Sequence, residues 1–342
     1  HTKTEALLAD VHSDNNPQAL QESPDKAAKS PEYVAYQQQA QTILPSLPSL
    51  RLNLDPQALE RIKRKRAGAL ETGILLTTSK DFVPAIVALQ PGHPMQAKAR
   101  LKGDWTDHLE GEKWSFRIVV KGKSNRILKK KRFSIQRAQA RGLAEPMLLA
   151  HLRRYGVMTP AYRFVDFVLN DKPLVIMVVE EHVSKEMMES QGRRNSVVLA
   201  FDEGYDWAQV ALNRTHRQIL MASGTSLEEN HMQDTYFNPI KVFQEGRVYK
   251  KAILKNFYRQ ALGLLRGYHE GYIQADDAFD MDLYGRYMAI MNLWGVRHGL
   301  ATHNQRFYYN PITRLFEPYG FDNDTPMHPG AEKKPYFGDY LL

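Results

Sequence analysis

Six short runs of β-type residues lie between Val83 and Glu180, each closed by turn-forming residues, and they constrain this chain more than any other feature. The runs are VPAIVAL (83–89), QAKARLKG (96–103), WSFRIVV (114–120), RFSIQ (132–136), RFVDFVLN (163–170) and LVIMVVE (174–180). Gly, Asp, Asn and Lys fill the gaps, which predicts an antiparallel sheet of hairpins, the last one turning at Asp171-Lys172. A helix is expected at Ala144 to Tyr155, where apolar residues recur at helical spacing and Gly156 stops the run. Upstream, Asp55-Pro56 reads as an N-cap followed by proline at the first helical position, with Gly73 closing that helix.

The second half reads as mostly helical. Tyr249 to Tyr272 and Met281 to Trp294 carry the 3.6-residue pattern. A hairpin follows: RFYYN (306–310), a turn at Pro311 to Thr313, and RLFEPYGFD (314–322). Residues 1–46 are rich in Asn, Gln, Ser, Asp and Lys and are expected to form a polar arm or tether. The closing stretch KKPYFGDYLL reads as the middle of a domain, so the carboxy-terminal part is expected to be incomplete.

Composition excludes several chemistries. There is no cysteine, hence no disulfide, thiolate nucleophile or Cys-type zinc site, and an exported protein fits that usage. No stretch approaches eighteen consecutive apolar residues, so no membrane span is expected. The net charge of +8 is concentrated in Arg61–Arg66, Lys121–Arg132 and Arg153-Arg154, without any nucleic-acid-binding motif. Solvated helix faces and hairpin tips account for such runs, or an anionic ligand does. No G-x-S-x-G elbow or H-E-x-x-H motif supports a hydrolase.

Three blocks, in order, resemble the CotH (spore coat protein H) kinase family. They are RLKGDWTDHLEGEKWSFRIVVK (100–121), LNDKPLVIMVVEEH (169–182) and HGLATHNQRFYYNPITRLFEPYGFDND (298–324). The resemblance implies an α+β, two-lobed atypical protein kinase-like fold, with an antiparallel-sheet N-lobe (47–182), a mainly helical C-lobe (183–342) and a nucleotide cleft between them. It implies ATP and Mg2+ (or Mn2+) as cofactors and an extracytoplasmic, exported or cell-surface protein substrate, with no nucleic-acid partner.

Phosphoryl transfer needs metal ions, cations and an aligned acceptor more than covalent help. Magnesium takes oxygen ligands, and a hairpin that returns Asp322 beside Asn304 makes an oxygen-only site, with Asp324 close behind. Lys113 is the candidate phosphate lysine, with Lys121 and Arg117 as alternatives. Glu145 would pair with that lysine, Glu181 would face the adenine, and the loop from Lys102 and Gly103 to Trp105 would lie over the phosphates.

The pattern departs from a kinase at one decisive position. A kinase catalytic loop places its base aspartate about five residues before the metal-binding asparagine, and counting back from Asn304 gives Gly299. His298 could act as base instead, the reaction could proceed without one, or the chain could be a pseudokinase scaffold. A surface or matrix protein is a further reading, with Trp105, Trp114, Trp207, Tyr308 and Tyr309 lining a carbohydrate groove.

Overall fold

The computed structural model describes residues 47–90, 92–137, 144–222 and 238–323. The chain divides into two units, His1–Leu47 and Pro48–Leu342, and the second contains everything described below. The expected tether (1–46), Asp324 and the closing stretch lie outside the described residues.

Seven strands close into a barrel in the order β1-β2-β3-β4-β5-β7-β6. They are β1 (Ser49–Asn53), β2 (Val83–Gln90), β3 (Met95–Leu101), β4 (Phe116–Val120), β5 (Arg132–Arg137), β6 (Tyr162–Leu169) and β7 (Lys172–Glu181). Six of them are the runs predicted from the sequence. The seventh, SLRLN, pairs antiparallel with β2 and parallel with β6, joining the two ends of the sheet. Period-two alternation drives this closure: Leu50 and Leu52 are fully buried inside, while Arg51 and Asn53 face out. Leu101, Phe116, Ile135 and Val179 fill the same interior.

Helix α1 (Pro56–Thr72) packs Ala58, Ile62 and Ala69 into that core. Its ends match the sequence reading. Asp55 Oδ1 accepts from the Ala58 amide at 2.7 Å, and Gly73 closes the helix at φ 74°. Three cations of its basic run are tied into the fold: Arg61 donates to the Lys80 carbonyl, Lys65 pairs with Asp81, and Arg66 donates to the Leu109 carbonyl.

Helix α2 (Ala144–Arg154) joins β5 to β6 and packs Leu148, Leu149 and Leu152 into the core of a second body. At its centre lies a four-stranded antiparallel sheet, β11-β10-β8-β9, built from β8 (Val198–Phe201), β9 (Ile240–Val242), β10 (Phe307–Tyr309) and β11 (Phe316–Pro318). Helices α3 (Gly204–Ala222), α4 (Ala252–His269) and α5 (Met281–Leu293) are the longer helices of this part. Phe279, Phe307 and Phe316 meet in its core, with ring centroids 5.7–6.1 Å apart.

The expected two-lobed kinase-like fold, with an antiparallel-sheet N-lobe and a mainly helical C-lobe, is not what this chain forms. The first sheet closes on itself through a parallel β1–β6 pair, and the second half is organised around a sheet. The missed strands are short: β8 and β9 hold only four and three residues, too few for a periodicity to show. The proposed aromatic groove does not form either. Tyr308, Tyr309 and Trp207 are buried, and Trp114 lies under the Arg66 guanidinium. Among the described residues no helix is long and apolar enough to cross a membrane.

Candidate functional site

One row of outward-facing residues crosses four barrel strands. Register pairs Arg100 with Arg117, Arg117 with Ser134, and Ser134 with Glu180. Each is one residue from an interior position, so the strand period turns all four outward. Yet Ser134 and Glu180 are buried, as is Gln136 on the same face, because the second body covers this wall. Tyr319, just past β11, reports that cover: burial, then the Glu180 and Glu181 carboxylates, push its phenol well above its ordinary value.

Lys102 follows β3 and reaches along the wall. Its Nζ donates to Glu180 Oε2 at 2.8 Å and to Gln136 Oε1 at 2.5 Å. Arg117 lies in the same recess, and its guanidinium makes no hydrogen bond or ion pair among the described residues. Burial and the neighbouring Arg100 lower Arg117 to about 10. His182 accompanies them, its Nε2 2.8 Å from Ser134 Oγ. Burial, then Arg117, Lys102, Arg100 and Arg132, hold His182 well below its usual range, so it is neutral at physiological pH. The wall therefore gathers Arg100, Lys102 and Arg117, with Lys102–Glu180 a close ion pair within it. Such a surface is complementary to an anion.

The facing side comes from the second body. His298 Nε2 lies 3.2 Å from Asp322 Oδ2, and Asn304 Nδ2 donates to the His298 carbonyl at 3.0 Å. Asp322 adopts a left-handed backbone, φ 54°, at the end of the β10–β11 hairpin. Arg306 lies 3.7 Å from Glu203 and over the Phe321 ring. Glu203 is also 3.8 Å from Lys241. Burial pushes His303 down, opposed by Glu203 and assisted by His298.

Asp104 lies at the seam. It is exposed to solvent in a recess that protein surrounds, and burial together with the Glu203 carboxylate raises it to about 6, opposed by Arg117, Lys102 and Lys241. Its loop is rigid. The Leu75 amide donates to the Asp104 carbonyl at 2.8 Å, and Trp105 packs edge-on to Trp207 at 5.0 Å. Gly103 sits at φ 108°, where a Cβ would come 2.3 Å from the His108 ring.

The residues singled out from sequence fall into three groups. Lys102, Gly103, His298, Asn304 and Asp322 line or support the seam. Lys113 is half-buried in the connector before β4, and Lys121 is exposed at the far end of that strand, so neither meets the carboxylate that Lys102 holds. Glu145 is fully buried, and its Oε1 accepts from the Asn323 amide at 3.1 Å; the carboxylate partner of Lys102 is Glu180. Glu181 pairs with Lys130 at 3.3 Å instead of opening to a ligand.

Sequence reasoning passed over Glu180, Gln136, Ser134, His182, Asp104 and Glu203. One signal was available: polar residues at alternate positions of otherwise apolar strands. Gly299 proves structurally fixed, because a Cβ there would stand 1.9 Å from Asn323 Oδ1. A side chain at 299 would have to displace the Asn323 amide and press on the Phe321 carbonyl.

The arrangement can bind an anion against the wall and hold carboxylate and amide oxygens opposite it. No family model matches the chain, and a search of curated proteins finds no match.

Proposed function

We propose that the chain is an extracytoplasmic phosphotransferase that binds Mg-ATP at the seam and transfers its γ-phosphoryl group to a hydroxyl of an exported protein. The observation that carries this reading is Arg117, a desolvated guanidinium without a close partner, set beside Lys102 and Arg100. A largely desolvated cation that no hydrogen bond ties down, with only Glu180 and Asp104 as nearby counter-charges among several cations, favours a further anion, and phosphate is one that forked guanidinium donors fit. The sequence blocks that resemble the CotH kinases, and the cysteine-free composition, support the substrate class and the compartment.

Asn304 and Asp322, each in contact with His298, would supply the amide and carboxylate oxygens that a divalent cation takes. Asn304 and Asp322 would hold magnesium, which would supply positive charge against the phosphates. Lys102 and Arg117 would hold the phosphates, Glu180 and Gln136 would keep Lys102 in one rotamer, and the second body would exclude water from the wall.

Gly299 favours a second reading, a non-catalytic nucleotide-binding scaffold, since the position of the expected base carries no side chain. Calorimetric titration of ATP with and without magnesium, on the wild type and on Arg117→Met and Asp322→Ala, tests both. The phosphotransferase requires binding that Arg117→Met abolishes, magnesium dependence that Asp322→Ala removes, and release of ADP. Binding without any ADP release selects the scaffold. No binding under any condition defeats both.

A further inference from the structure

The proton acceptor that position 299 cannot supply is, we infer, Asp104, which enters the site from the barrel side. This rests on the phosphotransferase reading above and adds the residue that handles the proton.

Three observations converge on it. First, the loop bearing Asp104 is fixed at both ends. The Lys102 amide donates to the Ser115 carbonyl at 2.9 Å, and Trp105 is clasped between Trp207 and the Arg214 guanidinium, 4.8 Å from its ring centre. The carboxyl group is thus held beside Lys102 by backbone and not by its own contacts. Second, the Asp104 carboxylate makes no hydrogen bond or ion pair among the described residues, although it is ringed by charge. Arg100, Lys102 and Arg117 face it from the barrel, and Glu203, Lys241 and Arg306 from the second sheet and its loops. The carboxylate is solvent-accessible, so an incoming hydroxyl can reach it. Third, the other candidate is occupied, since His298 is turned onto Asp322 at 3.2 Å.

In the step, the acceptor hydroxyl oxygen attacks the γ-phosphorus and forms the new O–P bond. The bond from that phosphorus to the bridging oxygen breaks, and its electron pair leaves with the nucleoside diphosphate. The hydroxyl proton passes to Asp104, which later returns it to solvent. Burial, then Glu203, hold the proton affinity of Asp104 above that of an ordinary aspartate, so a carboxyl group becomes a competent base near neutral pH.

The test uses Mg-ATP with water as acceptor, following inorganic phosphate release from pH 4.5 to 8, beside calorimetric Mg-ATP affinity at each pH. Asp104→Asn is expected to bind Mg-ATP within about threefold of wild type while turnover falls by about 10²-fold or more. The wild-type rate should rise with pH through about 6 and then level. Glu203→Gln should move that rise to lower pH, a shift that a merely structural role would not produce. Three results would overturn the assignment: Asp104→Asn turning over at the wild-type rate, losing affinity as steeply as rate, or keeping the acidic limb. Absence of Mg-ATP binding in the wild type would defeat the underlying reading, and the affinity arm separates that outcome from failure of Asp104 alone.

Discussion

Lys102 spans two strands of the barrel wall to place its Nζ 2.8 Å from Glu180 Oε2, although the two residues are 78 positions apart in the chain. Both side chains are largely withdrawn from water, at 15% and 5% exposure. A buried ion pair of this kind says little about net stability, but breaking one side of it is expensive. Glu180→Gln should therefore destabilise the protein by about 3 kcal/mol, as should Lys102→Met. The double substitution should recover most of that loss. Urea unfolding of the four proteins measures it, and additive losses would show that the two side chains are not coupled.

Arg117 separates stability from function. Its guanidinium is largely desolvated, faces Arg100 and makes no hydrogen bond or ion pair among the described residues, with Glu180 and Asp104 as its nearby counter-charges. Arg117→Met keeps the aliphatic volume and removes the charge. It should raise stability by roughly 1 kcal/mol and eliminate Mg-ATP binding. Thermal unfolding and calorimetry on the same sample read both effects. A variant that is less stable would mean that Arg117 supports the wall instead of waiting for an anion.

Much of the barrel was legible because its strands alternate cleanly. Each of the six predicted runs carries two or more buried side chains on its inward face, and turn residues mark where the chain reverses. Barrel closure was not legible. SLRLN is five residues long, and its parallel partner β6 lies more than a hundred residues away, so no local pattern announces the pairing. The site was read in part for a similar reason. Asn304 and Asp322 stand in one hairpin-bearing segment, and each of them contacts His298. Lys102 and Glu180 meet only because the register of four strands aligns them, and Lys113, the lysine favoured by position in the sequence, has no such alignment.

Gly299 gives a steric prediction. A methyl group there would collide with Asn323 Oδ1 and press on the Phe321 carbonyl at 3.0 Å. Gly299→Ala should cost about 1–3 kcal/mol, and Gly299→Asp should create no catalytic base, because the added carboxylate has nowhere to go. Increased phosphate release by Gly299→Asp would contradict this packing.

Asp104 gives a prediction about stability that needs no substrate. Burial and Glu203 raise its folded-state value to about 6, above the ordinary aspartate value near 3.8. The folded protein thus binds this proton more tightly than the unfolded chain does. Whatever stability Asp104 lends is fully present below the unfolded value and is lost as pH rises through about 6. His182 works in the opposite sense: burial lowers it, so its contribution is lost as pH falls below the ordinary histidine range. Comparing wild type with Asp104→Asn cancels His182 and leaves the aspartate alone. The variant's advantage in melting temperature should grow between about pH 4 and 6 and then stay constant to pH 8. An advantage independent of pH would place the Asp104 proton affinity at the ordinary value, and would take away its fitness as a base near neutrality.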